Sequence, residues 1–314
     1  MTKVRVDEHQ APGVLHFVTF CYIGSLLVGC TTCPKGAAET PFKPNPPALL
    51  PMVAVVNAIN ANNLRIPTLW ASLNYSATIM DNGKAHSVTS DDGILLYSHP
   101  RDFRLIGKKE FVGTVFDMGA NENEFWLEVV PGVNQLWWGR FKDLEKTGPA
   151  KLPVDPEAVG EVLSVNTVDS DFLHQPVPVM QYDGAADCYV FQFNYQAPDR
   201  WFAQKQMWYE RATLRPRRVV LYDASGKPVL DARLSHDVHV QVPNEPAAGG
   251  PLIAGDFRLF FPDSQSRMEF TLKDVQIFKD MGNGRHIPNP GNFKVPDVSG
   301  TDVRAIQIGA DGVE

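Results

Sequence analysis

Leu69-Trp70-Ala71-Ser72-Leu73-Asn74-Tyr75-Ser76-Ala77-Thr78-Ile79-Met80 is followed by Asp81-Asn82-Gly83. Leu69, Ala71, Leu73 and Tyr75 alternate with more polar neighbours, a period of two that a half-buried β-strand requires and a helix does not tolerate. Asp-Asn-Gly is turn chemistry, because Gly accepts positive φ at no steric cost. This stretch therefore reads as a strand that folds back on itself.

The same alternation continues on both sides of further turn signals. Ile94 to Ser98, Phe103 to Gly107, Gly113 to Met118, Glu124 to Val130 and Gln135 to Phe141 read as strands, with a turn at Asp91-Asp92-Gly93. After a break over 142–178 the pattern resumes at Val179 to Tyr182, Cys188 to Tyr195, Gln204 to Arg211, Arg217 to Asp223, Val229 to Leu234, Arg258 to Phe261 and Arg267 to Phe278. Asp223-Ala-Ser-Gly-Lys is a hairpin turn. Two helices are expected: one over residues 52–64, ended by Pro67, and one over 156–163, where Asp155 ahead of Pro156 suits an N-cap with proline at the first helical position. Asn57, Asn60, Asn62 and Asn63 are assigned to the solvated face and C-terminal cap of the first helix. The expected fold is mainly β with covering helices: a single curved antiparallel sheet, an open half-barrel capped by short α-helices.

Ahead of the sheet, Leu26-Leu27-Val28-Gly29-Cys30 closes an apolar run that begins at Val14. The run is shorter than the about 20 residues of a membrane span, and it ends in a small residue and a cysteine. Residues 1–29 are expected to be a lipoprotein signal peptide and Cys30 the site of lipid attachment. Residues 30–51 are Pro-rich and form a tether, leaving 52–314 as one lipid-binding domain. More than one acyl chain on Cys30 makes the attachment stable, since a single chain binds only marginally. Thr31 in place of Asp after Cys30 favours the outer membrane, facing the periplasm. A disulfide between Cys33 and Cys188 is one arrangement the cysteine count leaves open outside the cytoplasm.

The chain has 314 residues, 44% of them hydrophobic, and a formal charge of −7. That length supports a sizeable core, and that charge argues against nucleic acid as a partner. Chemical motifs are sparse. His236-Asp237-Val238-His239 would place its imidazoles on opposite faces of a strand, so no metal site is expected, and Asp91-Asp92 is better read as turn chemistry than as an acid/base pair. No nucleophile, base and orienting group can be assembled, so no catalytic residue and no cofactor is expected, and the chain is read as a non-enzyme.

Aromatic residues are the stronger signal. Tyr189, Phe191, Phe193 and Tyr195 share one strand face, and Trp126, Trp137, Trp138, Trp201 and Trp208 add bulk. By face and bulk, Phe103, Phe125, Trp126, Phe191, Phe193 and Trp208 are the candidates to line an apolar cavity for acyl chains.

Several short segments carry a family resemblance. Tyr97-Ser-His-Pro100-Arg-Asp-Phe103-Arg104 resembles the Arg-Pro-x-x-Phe-x element of the LolA/LolB-like lipoprotein-carrier superfamily. Asp117-Met-Gly119 with Phe125-Trp126 is similar to its Asp-Gly-x-x-Leu-Trp step, and Asn292-Phe293-Lys294-Val295-Pro296 with Val303 to its closing Phe-x-Phe/Val-x-x-Pro segment. The resemblance implies a helix-capped half-barrel around a cavity for acyl chains or lipoproteins, without catalytic chemistry. The expected function is a lipid-anchored receptor or acceptor near one membrane; the alternative is an envelope sensor or protein-interaction module on the same fold, with an envelope protein as partner.

Overall fold

The computed structural model describes residues 48–81, 83–147 and 152–309. Cys30, Cys33, the signal peptide and almost all of the tether lie outside them. From Leu50 onward the described residues form one compact unit.

Helix α1 (Met52–Asn63) leads into β1 (Thr68–Asp81), β2 (Lys84–Ser98), β3 (Asp102–Lys109), β4 (Gly113–Ala120), β5 (Glu124–Val129) and β6 (Gln135–Arg140). Helices α2 (Phe141–Thr147) and α3 (Pro156–Val162) follow. The chain continues through β7 (Val177–Asp183), β8 (Cys188–Gln196), β9 (Trp201–Glu210), β10 (Pro216–Tyr222), β11 (Pro228–His239), β12 (Leu252–Phe261) and β13 (Ser266–Gln276). Two short strands, β14 (Lys279–Asp280) and β15 (His286–Ile287), and a last strand, β16 (Arg304–Ile308), close the sequence of elements.

One curved, open sheet of 14 strands holds nearly all of this, as expected from the sequence, in the order β16-β6-β5-β4-β3-β2-β1-β13-β12-β11-β10-β9-β8-β7. Two antiparallel meanders run outward from the centre, where β1 pairs with β13, and end at opposite edges. β16 adds to β6 in parallel. This order has a topological consequence. The chain leaves the sheet at β6 on one side and re-enters at β7 on the far side, so the connection between β6 and β7 joins opposite edges of the sheet. Its residues 152–176, the crossing segment, lie on the face that α1 and α3 cover. That inner face carries Leu69, Ala71, Leu73 and Tyr75 of β1, and its main core joins Val55, Val56 and Ile59 of α1 and Val159 and Val162 of α3 to the sheet.

Local chemistry explains the elements. Asp155 accepts from the backbone N–H groups of Glu157 and Ala158 at 3.0 and 3.4 Å, and Pro156 opens α3, the expected cap. Asp81 pairs with Lys84 across the first hairpin, where Gly83 takes φ 76°. Asp223 Oδ1 accepts from Ser225 N and Lys227 N, closing the β10–β11 turn.

Two expectations are corrected. Asp91-Asp92-Gly93 is no turn: β2 runs unbroken from Lys84 to Ser98 and absorbs these residues as an irregularity opposite Leu73 and Tyr75. Ser90 Oγ accepts from Asp92 N at 3.1 Å there, and Gly93 lies so close to Leu73 that a Cβ would sit 2.6 Å from its Cδ1. The asparagines of α1 are not merely a solvated face. Asn60 both donates to Val168 O and accepts from Val168 N, each at 2.8 Å, and Asn62 holds Leu252 O and N in the same way at 2.9 Å. Asn63 donates to Ser164 O and Asn166 O at 3.0 and 2.9 Å. A primary amide offers a donor and an acceptor at peptide spacing, so it satisfies backbone groups of an irregular segment that has no strand to pair with.

The outer face has its own smaller cover. Phe293 and Ile287 pack on Trp70, Leu96 and Ile94, so the C-terminal segment lies across β1 and β2. Beside it, Asp117 accepts from Arg104 Nε and Nη2 at 3.1 and 2.6 Å and from Trp126 Nε1 at 2.8 Å. Arg104 Nη1 then donates to Asn292 O at 2.6 Å, and Asn121 Nδ2 to Phe293 O at 3.0 Å.

Glu128 is paired across the ladder with Asp117 and is only 9% exposed. Burial, and then the neighbouring Asp117 carboxylate, push its carboxyl above the usual glutamate range. An acid whose pKa is raised by folding contributes stability that is full below its unfolded pKa and lost as pH rises through the folded value. Glu128→Gln is therefore expected to stabilise the protein by about 1–2 kcal/mol at neutral pH and by nothing near pH 3. Urea unfolding of both proteins at the two pH values measures this.

Candidate functional site

The six aromatic candidates divide between the two faces. Phe103, Phe191 and Phe193 are buried in the main core on the inner face. Phe125 has the inner-face register of Leu127 and Val129 and packs on Phe141, ring centroids 5.4 Å apart. Trp126 and Trp208 are corrected: both face outward. Trp126 pairs with Gly119 and Trp138 and is fully buried, its indole lying so close over Gly119 that a Cβ there would meet its Cζ2 at 2.3 Å. Trp208 pairs with Val190 and Arg218, and the Arg218 guanidinium sits 4.7 Å from the centre of its ring while pairing with Asp231. Strand period two decides this: Trp208 sits between the inward Met207 and Tyr209, so it points the other way.

On the inner face, Phe103 is sealed by α3, with Gly160 directly over its Cβ. The space around it is only about 20 Å³. Phe191 is closed in by Tyr209, edge-on at 5.7 Å, and by Phe193 at 6.3 Å. The interior is filled by side chains wherever the crossing segment lies on it.

Room remains along the margin of that segment. A cleft of about 210 Å³ runs between residues 164–178 and β8–β9, with Phe193, Met207, Tyr209 and Pro178 on its sheet side and Asn166, Thr167, Val168, Asp169, His174 and Pro176 on the other. A second, of about 400 Å³, lies on the other side of α3, between Ala158, Pro176, Leu221, Tyr222 and Val229. Glu161 and Lys205 line both, so their ion pair forms the wall between the clefts. Lys205 Nζ donates to Glu161 Oε2 at 2.6 Å and lies 5.1 Å from the centre of the Phe193 ring. Lys205 holds the Glu161 carboxyl below the usual glutamate range against the opposing effect of burial.

Apolar burial of Val154, Ala158, Val159, Val162 and Leu163 holds the α3 part of the crossing segment in the core, whereas residues 164–176 bury only Val165 and Val168 and are fastened largely by polar ties. Besides Asn60 and Asn63, Tyr97 Oη donates to Asn166 Oδ1 at 2.7 Å. Such ties lose little when water replaces them, whereas apolar burial is lost in full. Residues 164–176 are thus built to lift from the sheet more readily than α3 does or than the strands part from each other.

These polar partners escaped the sequence reading. The sequence puts Lys205 in a strand and Glu161 in a helix and marks neither for a role. The available signal was parity: Lys205 shares its face with Met207 and Tyr209, so a cation interrupts an apolar row.

Among the described residues no cluster of His, Cys, Asp and Glu is placed to hold a metal, and no helix is long and apolar enough to cross a membrane. Asp237, between the two histidines considered above, is bound by Arg217 at 2.8 and 2.7 Å. Cys188 is buried, and its Sγ donates to Ala186 O at 3.3 Å.

No family model matches this sequence, and no curated protein does. Solved structures do show similarity. A domain assigned to outer membrane lipoprotein sorting from Vibrio parahaemolyticus is 10% identical, covering 77% of this chain and 95% of its own, with a TM-score of 0.46. A DUF1329 family protein from Desulfovibrio piger is 13% identical over 72% of this chain and 94% of its own, with a TM-score of 0.43. A LolA superfamily protein from Nitrosomonas europaea is 10% identical over 73% of this chain and 93% of its own, also at 0.43.

Proposed function

We propose that this chain binds an acyl chain in the cleft beside the crossing segment and acts as a receptor or acceptor near a membrane of the cell envelope. The observation that carries this reading is the cleft itself: an apolar wall of Phe193, Met207 and Tyr209, roofed by residues 164–176, which are fastened largely through hydrogen bonds. Even joined, the two clefts are the size of ordinary small-molecule sites, which suits one acyl chain. Lipid attachment at Cys30, by a tether reaching the domain at Leu50, holds the cleft near the membrane in this reading. Leu50 N donates to Tyr189 Oη at 2.8 Å, on the strand that also carries Phe193. Cargo then moves by relative affinity, each holder binding more tightly than the last.

A single myristoyl chain partitions into membranes with a constant of about 10⁴ M⁻¹, so a useful receptor must bind with a Kd below about 100 µM. Titrating the full-length, delipidated protein with a fluorescent fatty acid is expected to give saturable uptake in that range. Thr167→Trp, at an exposed position on the cleft wall, is expected to weaken uptake at least about tenfold by filling the space. Absence of saturable uptake, or uptake indifferent to Thr167→Trp, overturns the reading.

A further inference from the structure

Resting on that reading, we propose that the ligand carries a negative charge at its head, and that this anion takes the place of Glu161 on the ammonium of Lys205. Lys205 interrupts the apolar row of β9, between the cross-strand partners Phe193 and Leu221. Its side chain is 21% exposed and reaches the wall shared by the two clefts.

A fastening alone does not call for this pair. Elsewhere the crossing segment is held by neutral amides, a tyrosine hydroxyl and the Arg101–Glu157 pair, whose two side chains are each 45% exposed, whereas Lys205 and Glu161 are drawn further in between the clefts. Burying two charges costs more than burying an amide, and the attraction between them rarely exceeds that cost. The division of charge is the informative feature. Glu161 belongs to α3, and its side chain, 34% exposed, is free to turn into water; Lys205 belongs to the sheet and stays. When the carboxylate turns into water it loses little, while the ammonium is left between Phe193 and Leu221 without its counter-ion. That state is unfavourable unless the incoming ligand supplies an anion, and the Phe193 ring 5.1 Å away already favours the cation at this place. The opposite arrangement, with the anion on the sheet, would select a cationic head. The two clefts on either side of Lys205 leave room for the acyl chain to run away from the head along the Phe193–Met207 wall.

The test compares three amphiphiles with related single acyl chains on the full-length, delipidated protein: oleate, oleoyl lysophosphatidic acid and oleyl alcohol. Binding to wild type is expected to favour at least one of the anions over the alcohol by about tenfold, the strength of one charge-assisted hydrogen bond. Which anion is favoured tells a carboxylate from a phosphate head. In Lys205→Met, a shape-conserving change, the preference is expected to vanish while the alcohol still binds. In Glu161→Gln the anion is expected to bind more tightly with the preference retained, because its competitor is gone. A merely structural pair would shift all three ligands together in both variants, and that result overturns the inference while leaving acyl binding intact. Binding of none of the three to wild type overturns the acyl-binding reading and this inference with it. Thermal melts of both variants within a few degrees of wild type establish that they are folded.

Discussion

Asp117→Ala is expected to lower the free energy of unfolding by about 3–5 kcal/mol, the largest effect of any single polar substitution considered for this protein. The Asp117 side chain is 4% exposed and takes three hydrogen bonds: two from the Arg104 fork and one from the Trp126 indole. Removing the carboxylate leaves a guanidinium that is 16% exposed with only the Asn292 carbonyl as acceptor and the neighbouring Glu128 carboxyl as counter-charge, and an indole N–H with no acceptor. The cost comes from these orphaned donors and not from the worth of the pair, since an intact buried pair contributes little beyond its own desolvation. A double substitution therefore discriminates: Arg104→Met with Asp117→Leu is expected to recover most of the loss. Urea unfolding at constant m-value measures both proteins. A loss below about 1 kcal/mol in Asp117→Ala would show that the cluster is solvated and that the C-terminal segment does not depend on it.

This cluster also shows what the sequence could and could not tell. The segments that carry the family resemblance include Arg104, Asp117-Met-Gly119, Trp126 and Asn292-Phe293, and the fold brings these to one place. Their common setting is the outer face, where they dock the C-terminal segment; the candidate cleft lies on the inner face. Strand alternation made the sheet legible, because period two is imposed by the pleat at every residue. It also gives the face of any residue once the register is known, as the outward turn of Trp126 and Trp208 shows. Bulk alone could not place these side chains, since a large aromatic is equally at home under a covering segment or beneath an arginine. The long strand β2 was hidden by Asp91-Asp92-Gly93, whose turn chemistry was outweighed by the pairing of both flanks with β1. Least legible was the crossing from β6 to β7. It follows from strand order, which is a property of distant pairings such as β1 with β13 and leaves no local trace.

Asn63→Ala is expected to open that crossing without dismantling the sheet. Asn63 is buried, gives its two amide protons to Ser164 O and Asn166 O, and accepts from Asn62 Nδ2. Truncation leaves two backbone carbonyls short of a donor, worth about 2–4 kcal/mol if neither finds water. Where that free energy appears depends on how the segment is coupled to the rest. If residues 163–176 lift as a local unit, the substitution destabilises only the closed state. Amide exchange at Val168, whose N–H is held by Asn60 Oδ1, is then expected to quicken about ten- to hundredfold, and fatty-acid uptake to quicken with it. The midpoint of global urea unfolding would move far less. Asn62→Ala supplies the contrast, because Asn62 clamps Leu252 at the start of β12 and does not hold the crossing segment directly. It is expected to lower global stability and to leave the rate of uptake nearly unchanged. Equal effects of the two substitutions on exchange at Val168 would mean that segment and sheet unfold as one unit. In that case the clefts beside Lys205 could admit a ligand only through their existing mouths, and the polar fastening of the segment would serve the fold instead of a passage.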